Sequence, residues 1–98
     1  MNIGLDYDDT LTRDPAMWMS IISMMQQSGH KVYIVTWRTE EECKEIPEII
    51  LKWVDGVYAT SRKAKDKYMY SQGIRIDVWI DDNPSAILYT MQGHEEIE

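Results

Sequence analysis

Two carboxylates separated by one residue follow the first apolar run of the chain. Asp6 and Asp8 come directly after "NIGL", and Asp81 and Asp82 follow the apolar run "VWI" much later in the sequence. Uncompensated, such carboxylates repel one another when folding brings them together, and at least one pKa rises. A divalent cation offsets this repulsion, and oxygen ligands suit magnesium, which binds a few carboxylates plus water and phosphate oxygens. The four residues therefore predict a magnesium site.

Two further residue types complete a phosphate-binding arrangement. Thr36, at the end of "KVYIVT", offers a hydroxyl and a backbone amide, and a lysine at the start of the third predicted helix would add positive charge. Phosphoryl transfer depends mainly on positioning and charge stabilisation of this kind. A carboxylate can itself be the nucleophile and pass through an aspartyl-phosphate. The residue set is typical of an enzyme that acts on phosphate esters.

Alternating strands and helices position these residues. Strands are predicted in "MNIGL", "KVYIVT", "DGVYAT" and "IDVWI". The first helix is predicted in "DPAMWMSIISMMQQSG", the second in "TEEECKE" with "EIILKW", which a proline interrupts, and the third in "SRKAKDKYMYSQG". This order predicts an α/β fold with a parallel sheet covered by helices on both faces. The apolar centres of the strands agree with burial on both sides. Ligand-binding groups in such sheets gather at the carboxyl ends of the strands, where the polar residues above stand.

Capping residues predict where the helices begin and end. Asp14 as N-cap and Pro15 at the first helical position predict the start of the first helix, whose methionine-rich stripe is expected in the core. Ser61 predicts the start of the third helix and Gly73 its end. A T-x-x-E capping box opens "TEEECKE", and a proline separates it from "EIILKW". Residues 85–98 are expected to form a helical turn and a weakly ordered tail.

Composition and charge narrow the class of protein. With 98 residues and 44% hydrophobic content, the chain is expected to form one folded domain. The net charge of −7 disfavours nucleic acid as a partner except through a phosphorylated end. The single cysteine excludes an intramolecular disulfide framework and suits a reducing compartment. No secretory leader or bilayer-spanning stretch is recognisable, so we expect a cytoplasmic protein without membrane contact.

The order of these motifs resembles that of the haloacid dehalogenase (HAD) superfamily. "IGLDYDDTLT" is similar to its motif I, of the D-x-D-x-T/V type, "VYIVT" to motif II, and "VWIDDNP" to motif IV of the acidic-pair type. The resemblance implies a three-layer Rossmann-like fold with a small, mostly parallel sheet of about four strands. It also implies magnesium-dependent hydrolysis of phosphate monoesters.

The resemblance further implies roles for individual residues. Asp6 would be the nucleophile and a magnesium ligand. Asp8 would be the general acid and base, and its backbone carbonyl would bind the metal. Thr36 would bind the phosphoryl group. Asp81 would ligate magnesium directly, and Asp82 would do so directly or through water.

Motif III of the family is a lysine near the helix before the last motif strand, and three lysines qualify. Lys63 and Lys67 lie four residues apart on one helix face, whereas Lys65 lies on another. We favour Lys65 as the catalytic and phosphate-binding lysine, with Lys63 second, and the choice stays open because predicted helix boundaries err by about two to four residues. Asp9 stands where the family often has glycine, and we favour a role in the turn over a water-mediated metal contact.

The short segments between the motifs leave no room for the cap domain that the family usually inserts. Residues 37–56 separate motif II from the third strand. An open site implies either a large phosphorylated substrate, such as a phosphoprotein or a nucleic-acid end, or closure by oligomerisation. It also weakens water exclusion and selectivity for small substrates. Arg38, near the predicted opening, is expected to pair with the substrate.

Two other functions use similar residues. A receiver domain of two-component signalling also has an acidic pair, a phospho-accepting aspartate, a threonine and a lysine. In that module the acidic pair comes first, whereas here D-x-D comes first and the pair last. The other alternative is a catalytically idle metal- or phosphate-binding protein of the same fold. The presence of every expected catalytic carboxylate argues against it.

Overall fold

The structure is a computed structural model that describes residues 1–91. It contains a four-stranded parallel sheet with helices on both faces. Its strands are β1 (Asn2–Leu5), β2 (Lys31–Thr36), β3 (Gly56–Ala59) and β4 (Val78–Ile80), in the order β3-β2-β1-β4. The helices are α1 (Pro15–Gln27), α2 (Glu40–Cys43), α3 (Glu48–Trp53), α4 (Lys65–Ser71) and α5 (Ser85–Leu88), and a 3-10 turn covers Leu11–Arg13. The predicted α/β, Rossmann-like fold with about four parallel strands is confirmed.

Side chains alternate between the two faces of the sheet and form a core on each. Ile3, Leu5 and Ile34 are buried on the face that packs against α1 and α3. Tyr33 and Val35 are buried on the opposite face, which packs against α4. Because successive residues of a strand point to opposite faces, a strand that is apolar throughout can contribute to both cores.

The register of the strands aligns the carboxyl ends of β1 and β4. Leu5 pairs with Ile34 of β2 on one side and with Ile80 of β4 on the other. The Asp6 amide extends the ladder by donating to the Ile80 carbonyl at 2.9 Å. In the sheet, β2 and β3 lie on one side of β1, and β4 lies on the other side. The strand order therefore reverses between β1 and β4, and ligands bind at this switch point in open α/β sheets.

Several predicted helix boundaries are confirmed. The Asp14 side chain accepts a hydrogen bond from the Met17 amide at 3.2 Å and caps α1. Thr39 and Glu42 form the predicted capping box at the start of α2. Pro47 separates α2 from α3, as its lack of an amide hydrogen requires.

The predicted start of the third helix was wrong. Ser61 does not cap a helix, because Ser61 and Arg62 have positive φ angles of 54° and 68°, and α4 begins only at Lys65. Left-handed residues cannot continue into a helix without a turn, so these residues form a tight loop instead. The prediction that the methionine stripe of α1 lies in the core was wrong in part, since Met17 and Met24 are exposed.

The segment after α5 is ordered by contacts with the loop before α4. The Thr90 hydroxyl accepts a hydrogen bond from the Ala64 amide at 3.0 Å, and the Met91 amide donates to the Arg62 carbonyl at 2.9 Å. This part of the predicted weak tail is therefore anchored, whereas residues 92–98 lie outside the described residues. Within residues 1–91, every helix is too short to cross a lipid bilayer.

Replacing Gly4 by alanine is expected to lower the free energy of unfolding by about 1–3 kcal/mol. A β-carbon at Gly4 would lie 2.7 Å from Cε3 of Trp79 and 3.1 Å from Cγ2 of Ile76, so the indole must shift. Urea denaturation measures the effect. The double variant Gly4→Ala/Trp79→Leu is the control and should recover part of the loss relative to Trp79→Leu alone. Unchanged stability of Gly4→Ala would show that the Trp79 indole does not pack this closely over Gly4.

Candidate active site

Three carboxylates converge at the carboxyl ends of β1 and β4. Asp6, Asp81 and Asp82 each place a carboxylate oxygen within 4.8 Å of the other two. The side chains of Asp6 and Asp81 are buried and Asp82 is exposed, so the group opens toward solvent on the side of Asp82. Three oxygen ligands with an open side are the donor set that magnesium takes, together with water and phosphate oxygens. The residues therefore fit a magnesium ion.

Lys65 places its ammonium between two of these carboxylates. Its Nζ lies 2.9 Å from Oδ1 of Asp6 and 2.5 Å from Oδ2 of Asp81. The Lys65 side chain, on the first residue of α4, is only 1% exposed. Of the three candidate lysines, Lys65 is the one that the structure brings to the cluster, while Lys63 is half-buried and Lys67 is exposed.

A threonine that the sequence reasoning did not select joins two of the carboxylates. The Thr10 hydroxyl lies 3.1 Å from Oδ2 of Asp6 and 3.3 Å from Oδ1 of Asp82, and it accepts a hydrogen bond from the Asp82 amide. The single hydroxyl proton can serve only one carboxylate at a time. The threonine of the "DYDDT" stretch was the available signal, and its position four residues after Asp6 places it back over the site.

Burial and charge crowding raise the pKa of Asp6 to about 7. Desolvation is the largest cause and the neighbouring Asp82 carboxylate is the second, and together they outweigh the opposing effect of Lys65. The pKa of Asp82 is lowered, chiefly by its hydrogen bond with Asp6 and also by Thr10. A cation at the cluster would lower the pKa of Asp6 again, because it favours the ionised carboxylate.

Asp8 is separated from this cluster and pairs with Arg38. Its two carboxylate oxygens accept hydrogen bonds from Nε and Nη2 of Arg38 at 2.9 and 2.8 Å. The carboxylate raises the pKa of the guanidinium. The side chain of Asp8 therefore lies outside the three-carboxylate group, and only its backbone carbonyl remains as the metal ligand that the family resemblance implies.

Thr36 lies beside the same cleft, at the carboxyl end of β2. It is 1% exposed, and its hydroxyl accepts a hydrogen bond from the Arg38 amide at 3.2 Å. That hydroxyl still has its own proton to donate. Thr36 thus lines the cleft, and its role in binding a phosphoryl group stays a prediction.

These residues line an open cleft of about 500 Å³. It is lined by Asp6, Asp8, Asp9, Thr36, Trp37, Arg38, Glu42, Glu45, Arg62, Lys65, Asp81, Asp82, Asn83, Ala86 and Met91. Asp9 adopts a positive φ of 64°, which aspartate tolerates better than most residues, and its amide donates to the Thr12 hydroxyl. This geometry agrees with a turn role at the position where the family often has glycine.

Comparison with known proteins gives no relative from which a function could be transferred. No protein-family model matches the chain, no curated protein matches it, and no solved structure matches it. A function can therefore be inferred only from the residues and from the geometry described above.

Proposed function

We propose that the chain is a HAD-type phosphatase that hydrolyses phosphate monoesters through an aspartyl-phosphate on Asp6. The observation that supports this most strongly is the meeting of Asp6, Asp81 and Asp82 at the switch point of the sheet, with the ammonium of Lys65 between Asp6 and Asp81. A buried carboxylate beside a cation site and a buried lysine has the elements of a phosphoryl-transfer centre.

Two steps follow from this placement. The ionised Asp6 carboxylate attacks phosphorus, the bond to the alkoxide leaving group breaks, and Asp8 donates the proton that the leaving oxygen needs. Water then attacks the aspartyl-phosphate, Asp8 accepts its proton, and inorganic phosphate leaves with Asp6 restored. Lys65 stabilises the charge on the transferred group, and Thr36 donates to one of its oxygens.

Magnesium would be held by Asp6, Asp81 and Asp82, and it would supply charge neutralisation for the phosphoryl oxygens. The crowding of these carboxylates at one sheet edge supports this assignment, since among the described residues Lys65 is the cation that contacts them, beside hydrogen bonds from the Thr10 hydroxyl to Asp6 and from the Asn83 amide to Asp81. Lys65 would then be shared between the carboxylates and the phosphoryl group.

The open cleft favours a large phosphorylated substrate or closure of the site by a second copy of the chain. We place the enzyme in the cytoplasm, in keeping with its single cysteine. A screen of phosphosugars, nucleotides, nucleic-acid ends and phosphopeptides, with and without magnesium, would identify the substrate class. Turnover of a generic aryl phosphate would by itself remove the receiver-like and the non-catalytic alternatives.

Magnesium is expected to raise the melting temperature by several degrees at pH 8 and by little at pH 5. The pKa of Asp6 is raised from 3.8 to about 7 in the fold. The stability linked to this group is therefore fully present below about pH 4 and is lost as pH rises through about 7. Magnesium binds the ionised form, so its stabilisation appears where that loss occurs.

Thermal denaturation in EDTA and in millimolar magnesium, at both pH values, measures this effect. Asp82→Asn is the control, because it removes a proposed ligand that is exposed and should reduce the magnesium shift without a large loss of stability in EDTA. An equal magnesium shift at pH 5 and pH 8 would contradict the proposed metal site.

A further inference from the structure

We propose that Arg38 is a positioning residue for Asp8 and that it acts through this carboxylate instead of binding the phosphoryl group. Asp8 is a general acid only if the chain is a phosphatase, so this role depends on the proposed function. It changes the expectation that Arg38 pairs directly with the substrate.

The Arg38 guanidinium is held on three sides. Nε and Nη2 engage both oxygens of Asp8, and Nη1 donates to the Glu42 carbonyl at 2.8 Å. The guanidinium carbon also lies 5.1 Å from the centre of the Tyr7 ring, within the range of a cation–π contact. Nε and Nη2 form the edge of the guanidinium that can bind a phosphate group with two hydrogen bonds. In this structure Asp8 occupies that edge.

Glu42, whose carbonyl accepts the hydrogen bond from Arg38, is itself held by hydrogen bonds. Glu42 belongs to α2, and its carboxylate accepts hydrogen bonds from the Thr39 amide at 2.9 Å and from Arg62. Arg62 in turn donates from Nη1 to the Trp37 carbonyl at 3.1 Å, and its amide donates to the same carbonyl. Since α2 and the loop before α4 are tied together in this way, the Glu42 carbonyl presents a stable acceptor to Arg38.

Asp8 needs such a partner because its surroundings constrain it little. The Asp8 side chain is 49% exposed, whereas the Arg38 side chain is 21% exposed. A half-exposed carboxylate in a turn has several rotamers available. A general acid must lie within hydrogen-bond reach of the oxygen that it protonates. The two-pronged contact with Arg38 selects one orientation of the Asp8 carboxylate at the wall of the cleft, and one of the two hydrogen bonds must open when that oxygen carries the proton for the leaving group.

The test compares two substrates that differ in their need for an acid. Arg38→Gln is expected to slow phosphoenzyme formation from an alkyl phosphate by about 10–100-fold, a part of the roughly 10²–10⁴-fold that general acid catalysis supplies. Phosphoenzyme formation from 2,4-dinitrophenyl phosphate should slow far less, because this leaving group departs without a proton. Arg38→Lys should show the same selective loss, since an ammonium keeps the charge but cannot form the planar pair of hydrogen bonds. Arg75→Gln, an exposed arginine before β4, is the matched control.

A second measurement separates positioning from phosphate binding. In the Asp8→Asn background, Arg38→Gln should leave the rate of phosphoenzyme formation from 2,4-dinitrophenyl phosphate unchanged. A further loss in that background, or equal losses on both substrates in the single variants, would overturn the role of Arg38 and leave the phosphatase proposal intact. Absence of magnesium-dependent turnover in the wild-type protein, on either substrate, would overturn the proposed function and the role of Arg38 together.

Discussion

Replacing Lys65 by methionine is expected to lower the free energy of unfolding by about 3–5 kcal/mol, the cost of breaking a buried ion pair from one side. The Lys65 ammonium compensates Asp6 and Asp81, whose side chains are 9% and 2% exposed. Without it, the two carboxylates face each other with no cation. The same change should lower phosphatase turnover by at least about 100-fold, because charge on the transferred group loses its stabilisation.

The dependence on solution conditions distinguishes a lost compensating charge from a simple packing defect. The loss of stability in Lys65→Met should be larger at pH 8 than at pH 5, because more of the carboxylate charge is present at the higher pH. Magnesium should restore part of it by taking over the compensating charge. Urea denaturation measures the stability, and hydrolysis of an aryl phosphate measures the activity.

Lys52→Met is the control, because Lys52 is an exposed lysine near the end of α3. It should change stability by less than about 0.5 kcal/mol, as is usual for surface positions. Equal effects of the two substitutions would show that Lys65 does not occupy the carboxylate cluster.

The substitutions Asp6→Asn and Asp8→Asn should have different consequences. Asp6→Asn removes the proposed nucleophile and should abolish hydrolysis of every phosphate monoester. Asp8→Asn removes the proposed proton donor and should slow hydrolysis of alkyl phosphates by about 10²–10⁴-fold. With a leaving group that needs no proton, Asp8→Asn should still form the phosphoenzyme, and it should accumulate it because water is no longer activated.

Steady-state rates with an alkyl and an activated aryl phosphate, combined with a rapid-quench assay for protein-bound phosphate, measure both effects. Asp77→Asn is the control, because Asp77 precedes β4 at the opposite end of the strand from Asp81. Full activity in both Asp6→Asn and Asp8→Asn would contradict the assignment of the nucleophile and the acid.

The fold could be predicted from the sequence because its signals are local. The apolar strand "KVYIVT" and the capping residues Asp14, Thr39 and Glu42 specify their elements from neighbouring residues alone. Ser61 failed as a helix start because its left-handed backbone depends on contacts with residues distant in sequence, such as the hydrogen bond from its amide to the Arg38 carbonyl. Composition gives no sign of such contacts.

The position of the candidate site could be predicted from the sequence, whereas the contacts between its side chains were harder to predict. The carboxyl ends of parallel strands meet at one edge of a sheet, so the strand pattern alone places Asp6 and Asp81 together. The choice of Lys65 among three lysines depends on where α4 begins, which the sequence predicts only to within about two to four residues. The pair of Asp8 and Arg38 joins two loops and has no sequence signature, so Arg38 was expected at the substrate instead.

The most direct test of the proposed mechanism locates the phosphate on the protein. Asp8→Asn is mixed with 2,4-dinitrophenyl phosphate and magnesium, quenched in acid after milliseconds to seconds, digested, and mapped by mass spectrometry. Phosphate is expected on the peptide that contains Asp6, and none is expected when magnesium is replaced by EDTA or when Asp6→Asn is added. Phosphate on another residue, or hydrolysis without any protein-bound phosphate, would contradict the proposed mechanism.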